Sequence, residues 1–442
     1  SSVVVEGKIM PVFLNSLNAN FEKEFETLLS SKREDSVDVD SSVKEIISAV
    51  IEFGDQALLD YTQKFDRIVL TSDNLRFTHS ELKEQAAKVS DSDRSALELA
   101  AVRIEAYHKK QLPENAFWTD ESGVELGWRW SPVEAAGLYV PGGLASYPSS
   151  VLMNAIPAKV AGVRRLAITV PTPDNKINPL VLLAAQLSGV DEIYRVGGAQ
   201  AIAALAYGTE TIEPVDKITG PGNAFVAAAK RQVFGKVGID MIAGPSEILV
   251  IADKTSRPDW IALDLLSQAE HDASAQAILI TDSDNVVQAV NECIEVNLKK
   301  ISRNEIARSS WRDFGAIIKV PDLEAAAKIS NRIAPEHLEL CVSDPDNLMG
   351  KISHAGAIFL GHWTPEAVGD YVTGPNHVLP TARSARFSSG LSVVDFMKRT
   401  TLAKVSRDAL LKIGPPAVTL AESEGLECHG LSISERLKSN SQ

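Results

Sequence analysis

The sequence predicts an α/β protein made of two incomplete Rossmann-like domains with parallel sheets, plus small helical segments at both ends of the chain. Three observations predict this fold class. Beyond residue 130, short β-type runs alternate with Ala-rich helical runs, which is the βαβ rhythm of a doubly wound sheet. A second stretch of the same alternation starts near residue 248. The first 120 or so residues show the apolar spacing of helices instead.

The individual elements follow from these patterns in chain order. The apolar spacing predicts helices within 43–51 and 80–112, with a polar break at 90–93. The first α/β stretch predicts strands at 135–140, 166–170, 192–196 and 217–219 and helices at 155–162, 180–188, 199–207 and 224–233. The second predicts strands at 248–252, 277–281 and 338–342 and a helix at 258–270. A short helical stretch is expected at 393–411, ahead of Gly414, Pro415 and Pro416.

Two α/β units in series predict two sheets that face each other across a cleft. Ligands of such sheets bind beyond the carboxyl ends of the strands. The tail beyond Pro416 is too short to bury a core of its own. We therefore expect it to dock on the body of its own chain or on a second subunit.

Composition excludes several classes of function. The net charge is −14 and no basic cluster stands out, so the electrostatic footprint of a nucleic-acid-binding protein is missing. No apolar run approaches the roughly 18 residues of a membrane span. Three cysteines without C-x-x-C spacing argue against a disulfide framework. The first residues lack the layout of a signal peptide, so a cytoplasmic location is expected, with a removed organellar transit peptide as the open alternative.

Most of the polar chemistry lies in four short segments that place histidine beside a carboxylate or carboxamide. These segments are 268–271, 336–337, 370–377 and 424–429, and they use four of the eight histidines. Such side chains bind divalent metals or move protons.

Gln268 and His271 lie three residues apart near the end of a predicted helix, so one metal could accept both. The alternative is a solvated helix end. Asp370 and His377 lie in an irregular Gly- and Pro-rich segment, where Asp370 could instead cap a turn and His377 could be a half-buried hydrogen-bonding residue. With His429, this set offers zinc mixed nitrogen and oxygen ligands, although spacing alone does not require them to meet.

Glu336 and His337 are adjacent in the chain. Neighbouring side chains of a regular strand point to opposite faces, so both can serve one substrate only from a loop or a strand edge. Pro335 favours that arrangement. A carboxylate and an imidazole could then carry out two separate proton transfers. The alternative is a surface Glu-His pair at the start of a strand.

The glycine signals are weaker. Residues 220–222 begin like a dinucleotide fingerprint, but Phe225 stands where the third glycine belongs. Residues 141–143 and 197–198 also follow strand-like runs, where backbone can approach a ligand closely. Tight turns alone would explain each of these glycines.

Taken together, these segments resemble the histidinol dehydrogenase family, whose members catalyse the last two steps of histidine biosynthesis. The matching stretches are 137–143, 197–203, 220–223, 243–247, 265–271, 334–338, 369–371, 376–380 and 424–429. They span most of the chain in family order, which is far more specific than any single motif.

The resemblance implies a zinc-dependent enzyme that oxidises L-histidinol to L-histidine with two NAD⁺, by way of L-histidinaldehyde. The residues that correspond to the ligands of one Zn²⁺ per subunit are Gln268, His271, Asp370 and His429. The acid/base pair corresponds to Glu336 and His337. Substrate contacts correspond to Ser246, His377 and Glu424, in addition to His337 and the four zinc ligands. Nucleotide contacts correspond to Tyr139, Gln200 and Asn223.

The chemistry agrees with these assignments. Oxidation of an alcohol needs a base as hydride leaves, and the imidazole of His337 suits this task. An aldehyde has no hydride to give until it is hydrated, so the second step needs an activated water, for which Glu336 is the natural candidate. A covalent route would need an activated cysteine, and only Cys428 lies near the predicted site. A small packed thiol is the favoured interpretation of Cys428, so the water route is preferred.

The resemblance also implies a homodimer in which the C-terminal tail reaches into the neighbouring site, with Glu424 and His429 acting in trans. The expected parts are an N-terminal arm (1–30), a discontinuous zinc- and substrate-binding α/β domain (31–138 and 236–380), a Rossmann-like NAD-binding domain (139–235) and a C-terminal helical tail (381–442). No function is assigned to the arm.

Three alternatives stay open at this point. A zinc hydrolase would use Glu336 beside an open coordination position, but it would leave the glycine turns of 137–223 without a purpose. A non-catalytic nucleotide- or histidinol-binding protein is the second. The third is a dehydrogenase of the same fold that acts on another amino alcohol, and it is the hardest to separate because a pocket is set by its shape.

Overall fold

The computed structural model describes residues 11–31, 39–141, 147–242 and 244–438. Gly142, Gly143 and Ala243, which belong to the motif stretches above, lie outside the described residues, as does the first third of the predicted arm. The strands are β1 (Val12–Asn15), β2 (Ala116–Thr119), β3 (Glu125–Pro132), β4 (Ala135–Tyr139), β5 (Arg165–Thr169), β6 (Glu192–Tyr194), β7 (Lys217–Thr219), β8 (Gly238–Ile239), β9 (Glu247–Ala252), β10 (Gln276–Thr281), β11 (Ala316–Lys319), β12 (His337–Cys341), β13 (Ala357–Leu360) and β14 (Met397–Lys404).

The helices that accompany these strands are α1 (Phe21–Ser30), α2 (Asp40–Asp66), α3 (His79–Ala86), α4 (Asp91–Lys109), α5 (Pro148–Ala161), α6 (Pro179–Leu187), α7 (Gly198–Tyr207), α8 (Ala224–Val233), α9 (Pro258–Ala269), α10 (Asp284–Leu298), α11 (Asn304–Phe314), α12 (Leu323–Ile333), α13 (Pro345–Met349), α14 (Glu366–Tyr371), α15 (Arg407–Ser423) and α16 (Glu427–Lys438). Helix α2 is interrupted at Gly54, whose φ of 53° is not helical. In the described ranges no helix is long and apolar enough to cross a lipid bilayer.

The first parallel sheet has five strands in the order β6-β5-β4-β7-β8. The Ala-rich helix α7 is buried over 199–206 because its small side chains let it pack closely between this sheet and α2. The sheet runs from Ala135 to Ile239 and therefore exceeds the predicted unit 139–235 at both ends. Helices α2 and α4 also pack on its helices, because their apolar faces join its core. This differs from the predicted grouping of 31–138 with the other α/β unit.

The second parallel sheet has six strands in the order β1-β11-β10-β9-β12-β13. Strand β9 is buried along its whole length, as expected for the centre of a parallel sheet covered on both faces. The N-terminal arm contributes β1, which pairs with β11 at one edge. The sequence analysis did not predict strands β1, β11 and β13 of this sheet. The predicted fold class, an α/β protein with two parallel sheets, is confirmed.

The third sheet is antiparallel, in the order β14-β3-β2, and it corrects the prediction for 393–411. That stretch contains the strand Met397–Lys404, because its residues pair with β3 along their full length. Helix α15 then continues through Pro415 and Pro416. It packs along α16, where Gly414 leaves room for Leu437, so tertiary packing outweighs the helix-breaking tendency of proline.

The core beside the six-stranded sheet yields the first prediction. Trp311 on α11 is fully buried, while Trp363 is 85 % exposed. We expect Trp311→Ala to lower the free energy of unfolding by about 3–5 kcal/mol, since it removes a large apolar side chain and leaves a cavity. Trp363→Ala should change it by about 0.5 kcal/mol or less. Denaturant unfolding of both variants checks this, and equal midpoints would contradict the assignment of Trp311 to the core.

Candidate active site between the two parallel sheets

A cleft of about 380 Å³ lies between the two parallel sheets. One wall comes from the turn 220–223, beyond the carboxyl end of β7, and the other from residues at the amino ends of β9 and β12. The cleft residues of the five-stranded sheet thus follow the carboxyl end of a strand, as expected, whereas those of the six-stranded sheet stand at the amino ends of strands, which differs from the expectation. In the latter, the polar side chains Ser246, Glu336 and His337 stand just before or at the first residue of a strand.

Most of the predicted site residues meet in this cleft. Those that line it are Ser246, Gln268, His271, Glu336, His337, Asp370 and His377. Glu424 and His429 do not line it; they are exposed, at the end of α15 and within α16. The single chain thus brings together seven of the nine predicted metal, acid/base and substrate residues.

Glu336 is held by a reciprocal contact with Glu247, the first residue of β9. The N–H of Glu247 donates to Oε2 of Glu336 at 2.8 Å, and the N–H of Glu336 donates to Oε2 of Glu247 at 3.3 Å. Both residues are buried, with 6 % of their surface exposed. Burial, followed by the nearby charge of Glu247, raises the pKa of Glu336 well above its usual range. A carboxylate with a raised pKa is a stronger base than one in water.

His337 is oriented by the same strand. Its Nδ1 lies 2.9 Å from the carbonyl oxygen of Glu247. A carbonyl can only accept, so Nδ1 carries the hydrogen and Nε2 presents its lone pair. Nε2 is buried and makes no hydrogen bond in the part of the chain that the structure describes. Burial lowers the pKa of His337, which keeps the imidazole neutral and able to take a proton.

Two acidic residues of α14 stand beside this imidazole. Oε1 of Glu366 lies 3.5 Å from Nε2 of His337, and ligand atoms of His337, Glu366 and Asp370 all lie within 4.8 Å of one another. Burial and then their mutual repulsion raise the pKa of Asp370 to about 7, while burial raises that of Glu366 to about 7. Burial and the neighbouring His337 lower the pKa of His377 to about 4. A bound cation would relieve this crowding of desolvated carboxylates.

The residues present fit a divalent metal with nitrogen and oxygen ligands. Gln268, near the end of α9, is 1 % exposed, and its Oε1 has no hydrogen-bond partner among the described residues. A buried acceptor without a donor is costly unless a ligand satisfies it. His271 follows two residues after α9 at the exposed mouth of the cleft, with the ring of Tyr147 stacked 6.5 Å away. Amide, imidazole and carboxylate donors match the preferences of zinc.

Sequence reasoning missed two residues of the site, Glu247 and Glu366. The signal for Glu366 was its position four residues before Asp370, which places both side chains on one helix face. The signal for Glu247 was weaker, since only the register of β9 against β12 brings it to Glu336.

A second cleft of about 430 Å³ adjoins the first. It is lined by Tyr139, Gln200 and Asn223, the three predicted nucleotide contacts. Pro141, Gly222 and Asn223 line both clefts and so form a shared wall. The hydroxyl of Tyr139 accepts a hydrogen bond of 3.1 Å from the N–H of Gly198.

Of the three predicted nucleotide contacts, Tyr139 and Asn223 hydrogen-bond within the protein, whereas Gln200 has a buried acceptor without a partner among the described residues. Oε1 of Gln200 is buried and makes no hydrogen bond within the described ranges. Asn223 uses its side chain to cap α8 through the N–H of Val226. Burial raises the pKa of Tyr139 to about 12, so it is a neutral phenol at physiological pH.

None of the three cysteines lines either cleft in the described residues. Cys293 is half-buried, and Cys341 is buried with a raised thiol pKa caused by burial and by the charge of Glu339. Cys428 is exposed, which corrects the expectation of a packed thiol. Within one chain, no described cysteine therefore lies beside Glu336 or His337 in the cleft.

Comparison with known proteins identifies the family. The family model described as histidinol dehydrogenase matches residues 29–437. A histidinol dehydrogenase from Ruegeria pomeroyi is 68 % identical over 97 % of this chain and 99 % of its own length. One from Cereibacter sphaeroides is 65 % identical over the same shares of both chains.

A solved structure shows the same likeness in three dimensions. The crystal structure of histidinol dehydrogenase from Elizabethkingia anophelis superposes with a TM-score of 0.93 at 39 % identity, covering 97 % of this chain and 98 % of that one. These comparisons confirm the resemblance drawn from the motif stretches. They also confirm the predicted enzyme class, which is that of an oxidoreductase. The chain belongs to the histidinol dehydrogenase family.

Proposed function

We propose that this protein oxidises L-histidinol to L-histidine through L-histidinaldehyde with two NAD⁺, in a zinc-dependent reaction of histidine biosynthesis. The observation that carries the proposal is the single cleft that joins a buried Glu-His pair to nitrogen and oxygen donors suited to zinc. A second cleft shares a wall with it and contains the predicted nucleotide contacts. A hydrolase would have no use for that second cleft, so a dehydrogenase is favoured.

In the first oxidation, His337 acts as the base. Its Nε2 lone pair takes the hydroxyl proton of the alcohol while a hydride leaves the same carbon for NAD⁺, which gives aldehyde, NADH and a proton. The hydrogen bond from Nδ1 to Glu247 stabilises the protonated imidazole, because the carbonyl oxygen is negatively polarised.

In the second oxidation, Glu336 acts as the base toward water. Its carboxylate takes a proton from water as the oxygen adds to the aldehyde carbon, giving the alkoxide form of the hydrate, which can release a second hydride to NAD⁺ and become the carboxylic acid. The raised pKa suits proton acceptance from such a weak acid. The product is a carboxylate with a second NADH.

Gln268, His271 and Asp370 would hold Zn²⁺, with His429 of a second subunit as the fourth ligand, one ion per subunit. When bound, the metal supplies a fixed point for the imidazole and amine of the substrate and carries no hydride. Ser246 and His377 line the same cleft and would contact the substrate. Tyr139, Gln200 and Asn223 would bind NAD⁺, with its nicotinamide at the shared wall.

We further propose a homodimer in which Glu424 and His429 complete the neighbouring site. The support is their exposure and their separation from the cleft of their own chain. The helices that carry them pack mainly on each other, with α15 along α16. Such a unit can reach a partner while remaining tethered to its own subunit.

The division of labour between Glu336 and His337 is testable by substitution. We expect His337→Asn to lower kcat for the first oxidation on the order of 10²–10⁴-fold, because it removes the base of that step. Glu336→Gln should keep the first oxidation and slow the second, so that aldehyde is released and trapped by a hydrazine reagent. His354→Asn, outside both clefts, is the matched control. Histidine formed by Glu336→Gln at the wild-type rate, without trapped aldehyde, would contradict the assignment.

Sharing of residues between subunits is testable by complementation. His337→Ala and His429→Ala homodimers should each be inactive. A heterodimer of the two should regain activity, because one of its sites combines an intact His337 with an intact His429. Verified heterodimers without recovered activity would rule out action in trans.

A further inference from the structure

Asp66 stands in the proposed cofactor cleft without a role so far. It is the last residue of α2 and lines the cleft together with Phe65 and Tyr139. Its charge raises the pKa of the Tyr139 hydroxyl, behind the larger effect of burial, so the two groups are electrostatic neighbours.

This carboxylate is held at an energetic cost. The carboxyl end of a helix carries partial negative charge, which disfavours an acid there. Burial also raises the pKa of Asp66, and only the charge of Arg67 opposes that effect. Its Oδ2 is buried and accepts no hydrogen bond from the described residues. A buried acceptor of this kind is satisfied when a bound ligand supplies hydroxyl donors.

The charges around the cleft point to the kind of ligand. Of the thirteen described residues that line it, Asp66 is the only one with a charged side chain. The adjacent Arg67 faces a neighbouring cleft, where it binds Asp174 through two hydrogen bonds of 2.7 and 2.6 Å. Among the described residues that line the cleft, a phosphate group beside Asp66 would meet a carboxylate and no cation, whereas a neutral diol would meet an acceptor.

The position of Asp66 also selects the part of the dinucleotide. Hydride transfer requires the nicotinamide at the wall that the two clefts share, which is formed by Pro141, Gly222 and Asn223. Asp66 lies in the cofactor cleft and does not line the substrate cleft. Asp66 would therefore contact a part of the cofactor beyond the nicotinamide ring, and the adenosine ribose offers a vicinal diol there.

We propose that Asp66 binds the vicinal diol of the adenosine ribose and thereby selects NAD⁺ over NADP⁺. In dinucleotide-binding folds an acidic residue commonly accepts from the ribose 2′-hydroxyl and repels a 2′-phosphate. Here the acid comes from the end of a flanking helix and not from the sheet. This inference rests on the proposed function, because it assumes that the cleft holds NAD⁺.

The test compares kcat/KM for NAD⁺ and NADP⁺ in the zinc-loaded full-length enzyme and in Asp66→Asn and Asp66→Ser. Losing a charged hydrogen bond should raise KM for NAD⁺ on the order of tenfold to 100-fold, with a small change in kcat. Removing the repulsion should improve the use of NADP⁺, so the preference for NAD⁺ falls by at least about tenfold. Asp60→Asn, an exposed acid on the same helix, should leave the preference unchanged.

Each other result overturns the inference. An unchanged preference in both Asp66 variants, while the wild type reduces NAD⁺, would reject the role of Asp66 and leave the proposed function intact. Equal losses with both cofactors, together with a lower melting temperature, would show a structural role. A wild type that neither binds nor reduces NAD⁺ would reject both proposals.

Discussion

The reciprocal hydrogen bonding of Glu247 and Glu336 is the constraint on which the rest of the site depends. These residues stand at the amino ends of adjacent parallel strands, and each carboxylate accepts the other's N–H. Glu247 also accepts from the N–H of Ala382 at 2.9 Å and offers its carbonyl oxygen to His337. Glu247 thus holds Glu336, His337 and the chain segment at Ala382 in place.

The opposite wall is fixed by a second buried charge. The ammonium group of Lys230 pairs with Asp240 and donates to the carbonyl oxygen of Gly220 at 2.9 Å, while Asp240 accepts from the N–H of Gly220. Gly220 has a φ of 116°, and a Cβ there would collide with the carbonyl oxygen of Tyr139. The turn that carries Gly222 and Asn223 of the shared wall is therefore anchored at Gly220, which suits a site where two ligands must meet for hydride transfer.

Local patterns predicted the elements that bury their own apolar face, such as β9 and the Ala-rich helix α7, and the motif stretches predicted the seven residues that share the cleft. The elements that the local patterns did not predict are strands that form only by pairing with residues far away in the sequence. Strand β1 is defined by β11, some three hundred residues away, and β14 is defined by β3. Likewise, nothing local shows that Glu247 reaches Glu336, and no single chain can show where His429 binds.

The most direct measurement is the amount of NADH formed per molecule of limiting L-histidinol by the zinc-loaded protein with excess NAD⁺. Two bases in one cleft, one for the alcohol and one for water, predict two NADH with histidine as the product. The chelated protein should form far less under the same conditions. One NADH with released aldehyde would contradict the account, because Glu336 would then not be activating water for the second oxidation.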